Sequence, residues 1–153
     1  MEMAEAVYDA AKRDLAAEVI RRFGELRLQV TGASMLPSVW PGDVLTVRRR
    51  SPAELLPGRI VLCYRDGRFV AHRLVGRQGD DVVTRGDAHN FKDIPFREED
   101  VLGEVVGIQR SGRSVRLSPV WWQRAASSVA ARSEACTRTL LRLRRLQGVS
   151  WAR

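Results

Sequence analysis

Four polar residues, Ser34, His72, Asp87 and Asp93, are of the types that hydrolytic chemistry uses. A serine hydroxyl is a weak nucleophile until a base takes its proton. A neutral imidazole, with an ordinary pKa of about 6.5, can take that proton and return it to a leaving amine. An aspartate on the other ring nitrogen fixes the tautomer and stabilises the imidazolium. Ser34 lies in "TGASMLPSVWPGD" (31–43), which Gly32, Pro37, Pro41 and Gly42 punctuate. The same punctuation serves a plain turn, so the residue types alone leave two explanations for the hydroxyl. His72 stands in "RFVAHRLV", where strand alternation puts it on one face with Val70 and Leu74, inward or at a cleft edge.

The neighbouring polar residues have simpler readings. Asp43 follows a turn glycine and reads as structural, whereas Asp87 after Gly86 is either a turn cap or a second acid. His89 reads as solvated in a polar loop. With no histidine pair at helical spacing and no paired cysteines, no metal or other cofactor is expected. Met35 and Leu36 either line a substrate groove or fill the core.

Three segments must position these groups. Over 4–23, Val7, Ala11, Leu15, Val19 and Phe23 recur at four-residue steps, with Ile20 beside them, predicting an amphipathic helix in an N-terminal unit of 1–24 that Gly24 ends. From 25 to 118 the pattern changes to short alternating runs: "LRLQV", "VLTVRR", "RIVLCY", "RFVAHRLV", "DVVTR", "VLGEVVGIQ" and "SVRL". Asp66-Gly67 marks a hairpin between two of them. These strands predict a mainly β fold, a folded sheet or partly closed barrel. Residues 119–153 return to helix after the cap pair Ser118-Pro119, with Trp121, Trp122 and several leucines among arginines.

The bulk properties narrow the setting. The chain has 153 residues, 44% apolar and 29% charged, which suits one soluble globular domain. No apolar run spans a bilayer and no leader-like segment opens the chain, so a cytoplasmic site is expected, with peripheral membrane contact open. Cys63 and Cys136 follow no metal or redox spacing and read as inert thiols. The net charge is +8, and seven arginines against one acid lie between 119 and 153. Such a segment suits an anionic membrane surface, an acidic partner or nucleic acid, and equally a solvated face.

Four boxes, in order, carry a family resemblance. "GASMLPSVWPGD" resembles the nucleophile box of the superfamily that joins signal peptidases and LexA-type repressor proteases. "GRIVLCY" resembles the strand after it, "FVAHRLVGRQGDD" the strand of the general base, and "TRGDAHNFKDIPFREEDVLGEVVG" the final box. The match runs from about Val30 to Gly107. It implies a folded β-sheet peptidase domain flanked by helices, with Ser34 as nucleophile and Gly32, Ala33 and Met35 around the oxyanion. Most bacterial members place lysine where this chain has His72. Histidine there resembles the endoplasmic-reticulum-type and archaeal enzymes, which use serine, histidine and aspartate. That resemblance puts the orienting acid at Asp93, with Asp87 in support. Many signal peptidases carry a serine two residues before the nucleophile. Gly32 stands there instead, as in the LexA-like branch.

The resemblance implies a serine endopeptidase that holds an extended peptide by strand addition and cleaves a leader or signal segment, with nucleic acid not expected as a partner. A LexA-like self-cleaving regulator fits less well, since the 24 residues before the strands are too few for a DNA-binding domain and no Ala-Gly or Cys-Gly pair occurs. A non-catalytic module that binds peptide, membrane or nucleic acid on the same fold is the remaining alternative.

Overall fold

The computed structural model describes residues 2–116, so the expected C-terminal helix and Cys136 lie outside the described residues. Helix α1 (Glu2–Phe23) is followed by seven strands: β1 (Glu25–Gln29), β2 (Val44–Arg48), β3 (Ile60–Arg65), β4 (Arg68–Gln78), β5 (Asp81–Arg85), β6 (Val101–Arg110) and β7 (Arg113–Val115). They form one antiparallel sheet in the order β1-β2-β6-β3-β4-β5, with β7 added to β6. The sheet is mainly β in class, as expected, and it is not closed.

Local chemistry explains the joins. Asp66 (φ 49°) and Gly67 (φ 73°) both sit in the left-handed region, which a two-residue hairpin between β3 and β4 requires. "IVLCY" is a continuous apolar run because both faces of β3 are covered. Ile60, Leu62 and Tyr64 enter one core with Leu45, Val47, Val105 and Ile108. Val61 and Cys63 enter a second with Leu55, Leu74, Val82 and Phe96. Burial pushes the Cys63 thiol up to about 12, which makes it unreactive.

The face of α1 differs from the expected stripe. The expected stripe lies one residue, about 100°, off the buried seam. The buried seam runs instead through Ala16 and Ile20, which join Met35 and Val39 in the first core. Leu15, roughly 100° round from Ala16, is 65% exposed, and Phe23 in the last turn is 70% exposed. Replacing Ile20 (2% exposed) by alanine is therefore expected to cost about 2–5 kcal/mol in chemical denaturation. Leu15→Ala is expected to stay within about 0.5 kcal/mol of the parent. Equal losses would place the helix seam wrongly.

Candidate active site

The nucleophile turn is built by its own sequence. Leu36 N–H bonds to Ala33 O (3.2 Å) and Val39 N–H to Met35 O (2.9 Å), while Met35, Leu36 and Val39 are buried beneath. The Trp40 indole N–H closes on Pro37 O at 2.9 Å. Asp43, fully buried, accepts from Trp40 N–H (2.8 Å) and from both arms of Arg110 (2.9 and 2.7 Å). Its role is structural: it pins the end of the turn to β6.

His72 lies on β4 opposite Val61, beside the second core, and is buried. Its Nε2 is 2.8 Å from Ser34 Oγ and its Nδ1 is 2.6 Å from Asp93 Oδ2. Asp93 can only accept when ionised, so Nδ1 carries the proton and the Nε2 lone pair faces the hydroxyl. Asp93 is itself fixed twice by β5. Its N–H bonds to Thr84 O at 2.9 Å, and Thr84 Oγ1 donates to Oδ2 at 2.5 Å. Burial alone would raise the Asp93 pKa, but the bonds from His72 and Thr84 outweigh it and hold the carboxylate below its ordinary range.

Asp87 is placed elsewhere. Its carboxylate takes Arg73 Nε at 2.7 Å and an Arg73 terminal nitrogen at 2.6 Å, plus Ser38 Oγ at 2.5 Å. Arg73 also donates to Gly58 O at 2.6 Å. Asp87 thus joins the base strand, the nucleophile turn and the loop after β5, without occupying the second ring nitrogen of His72. Arg73, Ser38, Thr84 and Arg110 were not singled out in the sequence. Only Arg73 carried a signal, as the residue directly after the histidine.

Gly86 closes the site. A Cβ there would lie 2.6 Å from Ser34 O, 3.0 Å from His89 Nδ1 and 3.2 Å from His72 Nε2. The adjoining Ala88 N–H bonds to Ser34 O at 2.9 Å and ties this loop to the nucleophile turn. His89 departs from the solvated reading. It is half-buried, stacks on Phe91 (5.0 Å between centroids, 13° between planes) and meets the edge of His72 at 5.8 Å. Its Nδ1 is buried with no hydrogen-bond partner among the described residues. Burial first, and then the nearby His72, lower its pKa.

Beside Ser34 and His72 opens a cleft of about 530 Å³. Leu28, Met35, Leu62 and Val70 are among its apolar walls, with Thr31, Gly32 and Arg68 also lining it. The Ser34 and Met35 amides stay outside the backbone pairing of the turn among the described residues. Among the described residues no cluster of His, Cys, Asp and Glu suits a metal ion, and no helix is long and apolar enough to cross a membrane.

Two outcomes test this geometry. Gly86→Ala is expected to displace Ser34 or His72 and lower the reaction of Ser34 with a serine-directed probe by at least about tenfold, since overpacking forces backbone shifts. An unchanged rate would mean that the loop yields freely. The unfolded chain takes up a proton at His89 near pH 6.5, whereas the folded His89 does so only at lower pH. Stability from this group is therefore lost as pH falls below about 6.5. His89→Asn is expected to flatten the fall of Tm between pH 7 and 5, and equal slopes would contradict it.

Comparison with known proteins gives one assignment. No curated protein matches the chain. The Peptidase S24-like family model matches residues 4–106, about two thirds of the sequence, spanning α1, the nucleophile turn, the base strand and most of β6. With that match laid over a serine, an imidazole and a carboxylate in hydrogen-bonded sequence, the chain belongs to the Peptidase S24-like family, within the LexA and signal-peptidase-like serine peptidase superfamily.

Proposed function

We propose that the protein is a serine endopeptidase of the signal-peptidase type, acting through Ser34, His72 and Asp93. The observation that carries this reading is the hydrogen-bonded series Ser34 Oγ to His72 Nε2 (2.8 Å) and His72 Nδ1 to Asp93 Oδ2 (2.6 Å). The peptide lies extended in the cleft. β5 pairs with β4 only from Arg73 onward, so among the described residues the 68–72 edge of β4 is left for strand addition.

Ser34 Oγ attacks the scissile carbonyl carbon as His72 Nε2 takes its proton. The developing oxyanion is held by backbone amides of the Ser34–Met35 turn, each worth on the order of 3 kcal/mol in the transition state. Gly32 and Ala33 give that turn its narrow profile. Among the described residues a Cβ at Gly32 would meet nothing within 4 Å, so the place of a serine hydroxyl is left to substrate. His72 then returns the proton to the leaving amine, and water, activated by the same imidazole, releases the acyl group from Ser34. Asp93 keeps the ring oriented, and Asp87 supports the site through Arg73 without touching the reacting atoms. No cofactor is required.

The substrate class is a protein or peptide bearing a leader segment. The arginines of 119–153 suit an anionic membrane surface or an acidic partner that delivers it. The family match favours one second reading, a self-cleaving regulator of the LexA type, which needs no separate substrate.

The test is labelling of Ser34 by a fluorophosphonate between pH 5 and 9. A protonated imidazole cannot accept a proton, so labelling is expected to rise with pH. It is expected to vanish in Ser34→Ala and His72→Ala, and to fall by roughly 10³–10⁴-fold in Asp93→Asn. Labelling that survives His72→Ala would remove the imidazole from the mechanism. Cleavage of an added peptide, first order in protein and first order in peptide, separates the endopeptidase from self-cleavage, whose first-order rate constant is independent of protein concentration.

A further inference from the structure

We infer that His89 and Phe91 form a recognition platform for the residue just after the scissile bond, and that this platform selects an aromatic side chain. The inference rests on the serine peptidase reading above. It begins from the two halves of the β4 edge. Residues 68–72 border the cleft, whereas from Arg73 the same edge is occupied by β5, whose partner there is Arg85. A peptide that follows the open edge therefore meets the end of β5 at His72. It must leave the sheet over the loop that begins at Gly86.

The leaving amine has a fixed address, because it takes its proton from His72 Nε2. His89 is the next ring beyond that imidazole, edge-on to it at 5.8 Å between centroids. The residue carrying the amine thus lies beside His89. None of Gly86, His89 and Phe91 lines the acyl-side cleft, so this surface is separate from it.

The chemistry of the surface is aromatic. His72, His89 and Phe91 run in series from the base outward, edge-on at 5.8 Å and then stacked at 5.0 Å, and Phe91 is 65% exposed. Among the described residues the His89 Nδ1 is buried without a hydrogen-bond partner, and such an atom calls for an explanation. The exposed Lys92 next in the chain opposes a cationic side chain. A ring placed edge-to-face or offset on this pair gains more than an aliphatic group of the same area.

Acyl transfer to added amines reads this surface alone. The full-length protein is acylated at Ser34 by the p-nitrophenyl ester of acetylalanine, and phenylalanine amide competes with glycine amide for the acyl group. The amine nitrogen bonds to the acyl carbon and the carbon–Oγ bond breaks. The amine proton passes to His72 Nε2 and on to Ser34 Oγ, so the free serine is regenerated. Phenylalanine amide is expected to be the better acceptor by about five- to tenfold. His89→Ala and Phe91→Ala are each expected to bring that ratio to about one. Phe23→Ala, which removes an exposed ring on α1, is expected to keep it. A slower reaction at unchanged ratio in His89→Ala would reveal a merely structural ring and overturn the platform, as would a parent ratio near one. Failure of the parent to release p-nitrophenol would instead overturn the Ser34–His72 reading, and this inference with it.

Discussion

The pairing of Arg73 with Asp87 is the constraint on which the rest of the site depends. Both side chains are almost wholly removed from water, and the guanidinium meets the carboxylate through two bonds of 2.7 and 2.6 Å. Burial of two charges is costly, and only complete hydrogen bonding offsets it. Ser38 Oγ and Gly58 O supply that completion. The geometry carries over to their neighbours. Arg73 follows His72, Asp87 follows Gly86, and Ser38 lies four residues beyond Ser34. Loss of one partner from such a pair typically costs about 3–5 kcal/mol, a large share of the 5–15 kcal/mol that holds a domain together.

Two aspartates close in sequence therefore have different tasks, assigned by their surroundings. Asp87 is paired with a buried arginine and touches neither ring nitrogen of His72, so its work is mechanical. Asp93 faces an imidazole and a hydroxyl, Thr84 Oγ1, and both favour its ionised form. A carboxylate in that setting can stabilise an imidazolium when one forms. β5 makes the distinction, because Thr84 fixes Asp93 by backbone and side chain together.

Much of this was legible in the sequence. The strands followed from period-two alternation, and the β3–β4 hairpin from Asp66-Gly67, since few residues accept two consecutive positive φ angles. Ser34, His72 and Asp93 were found by type and by box order, and they meet in space. The helix lies where expected, but its buried seam of Ala16 and Ile20 sits about 100° round from Leu15, a choice made by contact with Met35 and Val39 across the core. His89 was misread for a different reason. A polar loop gives no sign that Phe91 and His72 will cover a ring from two sides.

The sequence by itself determined which segments form strands, where the chain turns, and which residue types are present for chemistry. These are local properties, set by backbone sterics and by side-chain periodicity over a few residues. Only the tertiary structure decided that Asp93 rather than Asp87 faces the imidazole, that Gly86 admits no side chain, and that His89 stands beside the base. Those outcomes depend on contacts between segments tens of residues apart. They are settled when the segments pack and the buried charges of Arg73, Asp87 and Asp93 are paired, and linear order carries no record of that choice.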